Sequence, residues 1–236
     1  MNTPELGHPV AAHELRWPQR TPLAGARVTL EPLDPDSMAE ELYAAGHADE
    51  TALALWTYLP DGPFPDVATF RTWLYRQHGH DHSAVAFRDH ETGALFGTAR
   101  YMDILPAFGS MEIGAIWFAP PLQRSPQTTE ALFLMIRHAF DDLGYRRMQW
   151  RCNALNQRSR AAALRLGFTF EGVFRQHMIV KGRNRDTAWF SILDGEWPAL
   201  RSNFETWLAP ENFSEDGQQR CRLVDLHARS RGEQAS

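Results

Sequence analysis

The chain is short of cysteine. Its two residues, Cys152 and Cys221, are too few for a disulfide framework, which favours the cytoplasm. It also lacks any apolar run near the roughly 20 residues that a membrane-spanning helix needs. Residues 1–22 carry Glu5, His8, His13, Glu14 and several prolines, and contain no apolar stretch of the signal-peptide kind. Positive charge is in deficit: 24 Lys and Arg stand against 29 Asp and Glu, a net charge of -5. Proteins that grip nucleic acid through its phosphates are usually basic, so neither nucleic acid nor a membrane is expected as a partner. The mild acidity suits a cationic acceptor, and suits plain solubility equally. No Cys and His cluster has metal spacing. His78, His80 and His82 alternate with no carboxylate or thiol in register, so a polar loop is expected there and no metal. Repeats and low-complexity blocks are missing too.

What is present is an ordinary globular balance, 43% hydrophobic and 22% charged over 236 residues. A chain of this length buries a core without staples. Eight Trp and fourteen Phe exceed what a minimal core needs, which leaves some to line a pocket. Four prolines break residues 1–24 into an irregular arm. Arg27 to Glu31 alternates as a strand does. Asp34 and Pro35 then open a helix to about Ala48, and Asp66 caps a second one whose apolar face holds Phe70, Trp73 and Leu74. Three strands follow, over 84–87, 94–102 and 111–118, in the order of an antiparallel meander. Residues 127–143 repeat apolar positions at helical spacing and stop at Gly144. A strand over 147–153 comes next, then a short helix capped by Asn156 and ended at Gly167. The spacing then predicts a hairpin of 168–180 with 187–193 around Lys181 to Asn184. A last helix spans 197–208, and a polar, loosely held tail occupies 210–236. This order predicts an α/β (α+β) fold with a mostly antiparallel mixed sheet flanked by helices, in a domain covering 25–209.

The stretch from Glu112 to Phe168 carries the chemistry. It reads Glu112-Ile113-Gly114-Ala115-Ile116-Trp117-Phe118, then Pro121-Leu122-Gln123-Arg124-Ser125-Pro126-Gln127-Thr128-Thr129, a helix, and later Asn156-Gln157-Arg158-Ser159 and Leu166-Gly167-Phe168. Free backbone at the end of such a strand can pair with an extended amide-bearing ligand, and a following helix N-terminus suits a pyrophosphate. The ordered set resembles the GNAT superfamily of N-acetyltransferases, in particular its RimJ/RimL-type branch, over about residues 25–205. The resemblance implies the GNAT fold and acetyl-CoA as acyl donor. It assigns the cofactor to Ile116, Trp117, Phe118, Gln123, Arg124, Ser125, Gln127, Thr128, Thr129, Asn156 and Ser159. Pro126 and Thr128 stand where the family's loop has small residues, and proline removes one N–H donor.

The same resemblance implies transfer of acetyl to a primary amine by direct attack, with a protein N-terminus or a small molecule as acceptor. Glu112 is then the candidate base, and burial would suit its pKa to that task. The family's tyrosine acid falls on Ala163; the RimJ/RimL-type branch has serine where this chain has Ser159, and the resemblance implies that its hydroxyl meets the leaving thiolate. Cys152 reads as an ordinary strand residue. Acceptor contacts are expected from Trp56, Tyr58, Arg100, Tyr101 and His177, with the Arg183-x-Arg185-Asp186 cluster nearby. A homodimer through sheet edges or the late hairpin fits the pattern. The lost tyrosine and the altered loop also admit a GNAT fold that binds acyl-CoA as a sensor or assembly module without turnover.

Overall fold

The computed structural model describes residues 7–10, 15–78 and 83–234; His80 and His82 lie outside them, and no side chain is described for His78. Eight strands form one sheet: β1 (Leu23–Ala24), β2 (Val28–Pro32), β3 (Ala84–Asp89), β4 (Leu95–Leu105), β5 (Ser110–Phe118), β6 (Arg147–Asn153), β7 (Thr169–Val180) and β8 (Arg183–Leu193). Their order is β1-β2-β3-β4-β5-β6-β8-β7. All neighbours are antiparallel except β5 and β6, which run parallel across the connection that carries the central helix. Among the described residues no helix is long and apolar enough to cross a membrane.

Two apolar layers flank the sheet. Helices α1 (Pro35–His47), α2 (Glu50–Leu53) and α3 (Val67–His78) surround Leu42, Trp56, Phe70, Trp73 and Leu74, which pack on Ala84, Ala86, Leu95 and Trp117. Helices α4 (Pro126–Arg137), α5 (Gln157–Arg165) and α6 (Trp197–Leu208) cover Val28, Leu30, Phe87, Met111, Ile113, Met148, Phe190 and Ile192 on the opposite face. Caps set the helix starts as the sequence predicts. Asp34 accepts from the Asp36 N–H at 3.1 Å, and Asp66 accepts from the Thr69 N–H at 2.7 Å. Buried Glu130 on α4 accepts the N–H groups of Ala26, Arg27 and Val28 at 3.1, 2.7 and 3.0 Å, which pins the β1–β2 turn to that helix.

Three elements differ from the sequence reading. The long helix over 127–143 is α-helical only to Arg137 and then opens into a π turn, His138–Asp142. The turn carries Asp141, which accepts from Trp197 Nε1 at 2.7 Å and Arg201 at 3.0 Å on α6, contacts that periodicity cannot register. The late hairpin is tighter than a four-residue loop. Lys181 (φ 50°) and Gly182 (φ 72°) form a two-residue turn, the left-handed geometry that matches strand twist, and β8 begins at Arg183. The segment after Pro210 is not loosely held. It contains α7 (Leu223–Gln234), which buries Leu223 and His227. Asn203 bonds His227 and Ser230 at 3.1 and 2.8 Å, and Arg231 donates to the Gly167 carbonyl at 3.0 Å.

Candidate active site

The site begins where a ladder stops. β5 and β6 pair only at Ser110 with Arg147, Met111 with Met148 and Glu112 with Gln149. Yet β5 continues to Phe118 and β6 to Asn153. Past Glu112 the facing backbone edges of the two strands have no strand partner in each other. On its other side β5 pairs with β4, but a bulge intervenes between Thr98 and Arg100 of β4. There two residues of β5, Ala115 and Ile116, oppose Ala99 alone. Ala115 sits at φ 51°, a left-handed conformation that a non-glycine residue adopts only under constraint. The bulge re-aims β5, so that Trp117 turns into the α1–α3 core while Phe118 stacks on Phe87 of the other layer at 5.1 Å.

The α4 side of this splay suits coenzyme A through its backbone more than through the side chains the sequence suggests. Trp117 is 3% exposed, so only its main chain is available. Gln123 Nε2 donates to the Phe118 carbonyl at 3.1 Å and braces the loop. Ser125 caps α4 by accepting from the Thr128 N–H at 3.2 Å, and gives its own proton to the Leu122 carbonyl at 2.7 Å. The hydroxyls of Thr128 and Thr129 both turn back to the Ser125 carbonyl at 3.0 Å, and both residues are buried. Where the family's loop has small residues, this chain has a first turn whose hydroxyls are committed to its own backbone. Arg124 is different. It is exposed, at φ 63°, and makes no hydrogen bond or ion pair among the described residues. Gln127 is half-buried beside it.

Asn156 does cap α5, its Oδ1 accepting from the Ser159 N–H at 3.1 Å. Cap and ligand roles are compatible, because the cap uses the oxygen and leaves the amide N–H donors. The Ser159 hydroxyl oxygen accepts from Trp150 Nε1 at 3.0 Å, and the hydroxyl also hydrogen-bonds the Cys152 thiol. Cys152 beside it is buried, and burial raises its thiol pKa, the wrong direction for a nucleophile. Unpaired strand edges, a free guanidinium and an available amide therefore fit the cofactor.

The opposite face of the splay is charged. Glu112 is 2% exposed. Its Oε2 lies 3.0 Å from Arg151 Nε, although that N–H is not directed at it as a hydrogen bond. Arg151 also reaches Asp103 at 2.9 Å and lies over the Trp189 ring at 5.3 Å. Burial pushes the Glu112 carboxyl up from 4.5 to about 8; Arg151 opposes the shift, Asp103 adds to it, and Arg185 and Arg100 oppose it more weakly. Gly114 makes room for this carboxyl. A Cβ there would meet Met102 Sδ at 2.6 Å and Glu112 Oε1 at 3.0 Å.

The acceptor candidates divide. Trp56 is fully buried in the α1–α3 core and its Nε1 donates to the Gly46 carbonyl at 3.0 Å, so its ring is core. Tyr101 is 3% exposed and donates to the Met135 carbonyl at 2.8 Å, on the α4 face, away from Glu112. Both are corrections: aromatic residues near a site in sequence filled the layers beneath it. Tyr58 reaches across to the Leu155 carbonyl at 3.3 Å. Lys181, at the hairpin tip, donates to the Trp56 carbonyl at 2.6 Å. His177 contacts Thr187 Oγ1 at 3.0 Å and lies near Trp189, on the Glu112 face, beside an open concavity of about 790 Å³ against Phe174 to His177. Arg100 lies close enough to Glu112 to lower its pKa weakly. Sequence reasoning overlooked Arg151, Asp103 and Trp189. Alternation in β6 carried a signal for the first: Met148, Trp150 and Cys152 turn to the core, which sends Arg151 to the other face.

The splayed parallel pair, the bulge and the capped helix invite comparison with known proteins. Residues 27–169 match the sequence profile described as Acetyltransferase (GNAT) domain. The chain is a GNAT acetyltransferase. The solved GCN5-related N-acetyltransferase of Brucella melitensis is 45% identical to this acetyltransferase, with a TM-score of 0.88 over 91% of this chain and 97% of that one. A Bacillus subtilis (strain 168) protein named as a candidate ribosomal N-acetyltransferase, YdaF, is 26% identical over 71% of this chain and 90% of its own length. RimJ of Mycobacterium smegmatis, solved in complex with CoA-disulfide, shares the fold at 22% identity, with a TM-score of 0.62 over 76% of this chain and 88% of that one. The RimJ/RimL-type resemblance of the acetyltransferase agrees with these relatives.

Proposed function

We propose that the chain moves acetyl from acetyl-CoA to a primary amine by direct attack, with Glu112 as general base. One observation carries the reading: a carboxyl at 2% exposure, with its pKa raised to about 8, stands where the β5–β6 ladder ends. That pKa lies near working pH, where a base takes a proton well and still exists in part as carboxylate. The β5 edge beyond Glu112 would hold the cofactor arm as an added strand, with Asn156 donating to it and Arg124 meeting the phosphates. The amine lone pair attacks the thioester carbonyl, its proton passes to Glu112, and the carbon–sulfur bond breaks with the electron pair leaving on sulfur. Ser159 then donates a hydrogen bond to the developing thiolate, its oxygen being held by Trp150, and the thiolate takes its proton from solvent.

The test is a free-thiol assay with acetyl-CoA against amino acids, polyamines, aminoglycosides and short peptides. Release of thiol with at least one amine, lost in Glu112→Gln, supports the reading. A rise in melting temperature with acetyl-CoA, and no thiol with any amine, would sink it in favour of a non-catalytic acyl-CoA sensor. Ala163, fully buried where the family's tyrosine acid would be, is the observation on that side.

A further inference from the structure

Arg185 is a charge that the transfer step does not use. It is 7% exposed, and its Nε is buried with no hydrogen-bond partner. Among the described residues no carboxylate forms an ion pair with it, since the nearby acids Glu112 and Asp103 both contact Arg151. In β8, Ala188, Phe190 and Ile192 turn into the α4–α6 core, so Arg185, Thr187 and Trp189 turn to the face of Glu112. Arg185 is close enough to Glu112 and Arg151 for each to register its charge. Three guanidiniums, from Arg100, Arg151 and Arg185, thus share this face with two carboxylates.

A buried guanidinium N–H without a hydrogen-bond partner is destabilising, and the Nε of Arg185 is such a group. Support of the Glu112 carboxylate does not account for it. With all three arginines present, Glu112 still titrates near 8 and is largely protonated at neutral pH. The surplus charge is therefore complementary to something that arrives. A guanidinium presents a planar fork of donors that matches a carboxylate in two bonds.

We propose that Arg185 receives a carboxylate of the acceptor, so that the amine acetylated here belongs to a molecule that also carries a carboxylate. This rests on the reading that transfer takes place beside Glu112. The carboxylate has two possible sources: the α-carboxylate of a free amino acid, or an acidic side chain at a peptide N-terminus. One chemistry covers both.

The experiment is thiol release from acetyl-CoA with matched acceptors. Free amino acids are set against their α-amides, and short peptide amides beginning with Asp or Glu against those beginning with Asn or Gln. The expected result is a kcat/KM about thirtyfold or more in favour of the carboxylate in one of the two series, and that series names the source. Arg185→Met should erase the preference through KM. It should leave the acetyl-CoA Kd unchanged, should not lower the melting temperature, and should leave kcat on the neutral acceptor unchanged above the Glu112 pH limb, which the loss of a nearby positive charge moves slightly upward. Arg185→Lys, which keeps the charge and loses the fork, should restore part of the preference and stands in if the Met variant misfolds. Equal rates for matched acceptors, or an Arg185→Met that slows both alike above that limb, would overturn the proposal. If no acceptor turns over, melting temperature with CoA and N-acetylglutamate, against its diamide, separates the two readings. A shift with the acid in the wild type and none in the variant keeps the Arg185 site while the transfer reading falls. No shift removes both.

Discussion

The two sides of the β5–β6 splay handle polar groups in opposite ways. On the α4 side Gln123, Ser125, Thr128 and Thr129 are bonded to their own loop, and the hydroxyls of both threonines are spent on one carbonyl. On the Glu112 side the carboxyl is buried with a strongly raised pKa, and Arg185 has no anion of its own. A side built from satisfied loops can present backbone to an invariant ligand. A side that keeps unbalanced charge is built around the group it will meet.

The contrast breaks most easily at Glu112. Glu112→Gln should lower kcat by about 10² to 10⁴-fold and leave the acetyl-CoA Kd in place. The wild-type rate should rise as pH passes through about 8, where the carboxylate forms, and the variant should lose that limb. Stability should move the other way. The folded chain keeps the Glu112 proton from 4.5 up to about 8 while the unfolded chain releases it, so this contribution is present below 4.5 and lost as pH rises through 8. Relative to the Gln variant, the wild type should therefore melt lower at pH 9 than at pH 6; parallel curves would mean that Glu112 is not proton-linked to folding.

Arg124→Ala should come next, raising the acetyl-CoA KM by about tenfold through loss of one charge-assisted contact. An unchanged KM would place the phosphates elsewhere. Asn156→Ala should do two smaller things at once: remove about 1 kcal/mol of stability with the cap, and raise the acetyl-CoA KM through loss of the amide donors. If urea denaturation shows the first without the second, Asn156 is a cap alone. The smallest effect is expected from Thr128→Val. Its hydroxyl faces the Ser125 carbonyl, so the acetyl-CoA KM should stay within about twofold while stability drops by about 1 kcal/mol. A large KM change there would erase the distinction between the two sides.

Much of this was legible in the sequence. Asp34, Asp66, Ser125 and Asn156 mark helix starts because an N-cap needs only local chemistry. β6 and α6 occupy the ranges that alternation and periodicity predict. Glu112 was readable as a candidate base whose pKa burial would raise, but the burial itself was not, because it comes from layers distant in sequence. Trp56 and Tyr101 misled for the same reason: an aromatic residue near a site and one beneath it look alike until the layers are assembled. α7 escaped because its helix is polar on most sides and is held by Leu223, His227 and the side chain of Asn203. Arg185 was visible within a basic cluster, whereas the lack of a hydrogen-bond partner at its buried Nε is a property of the folded sheet alone.

Lys181, which joins the hairpin tip to the Trp56 carbonyl, is the only lysine in the chain. Partial burial lowers its pKa, so more of it is free amine near neutrality than for an ordinary surface lysine. Amine-directed reagents thus find a single reactive side chain, and it fastens the β7–β8 hairpin to the segment that follows α2. A fluorophore attached there would report the separation of those two elements without any engineered residue.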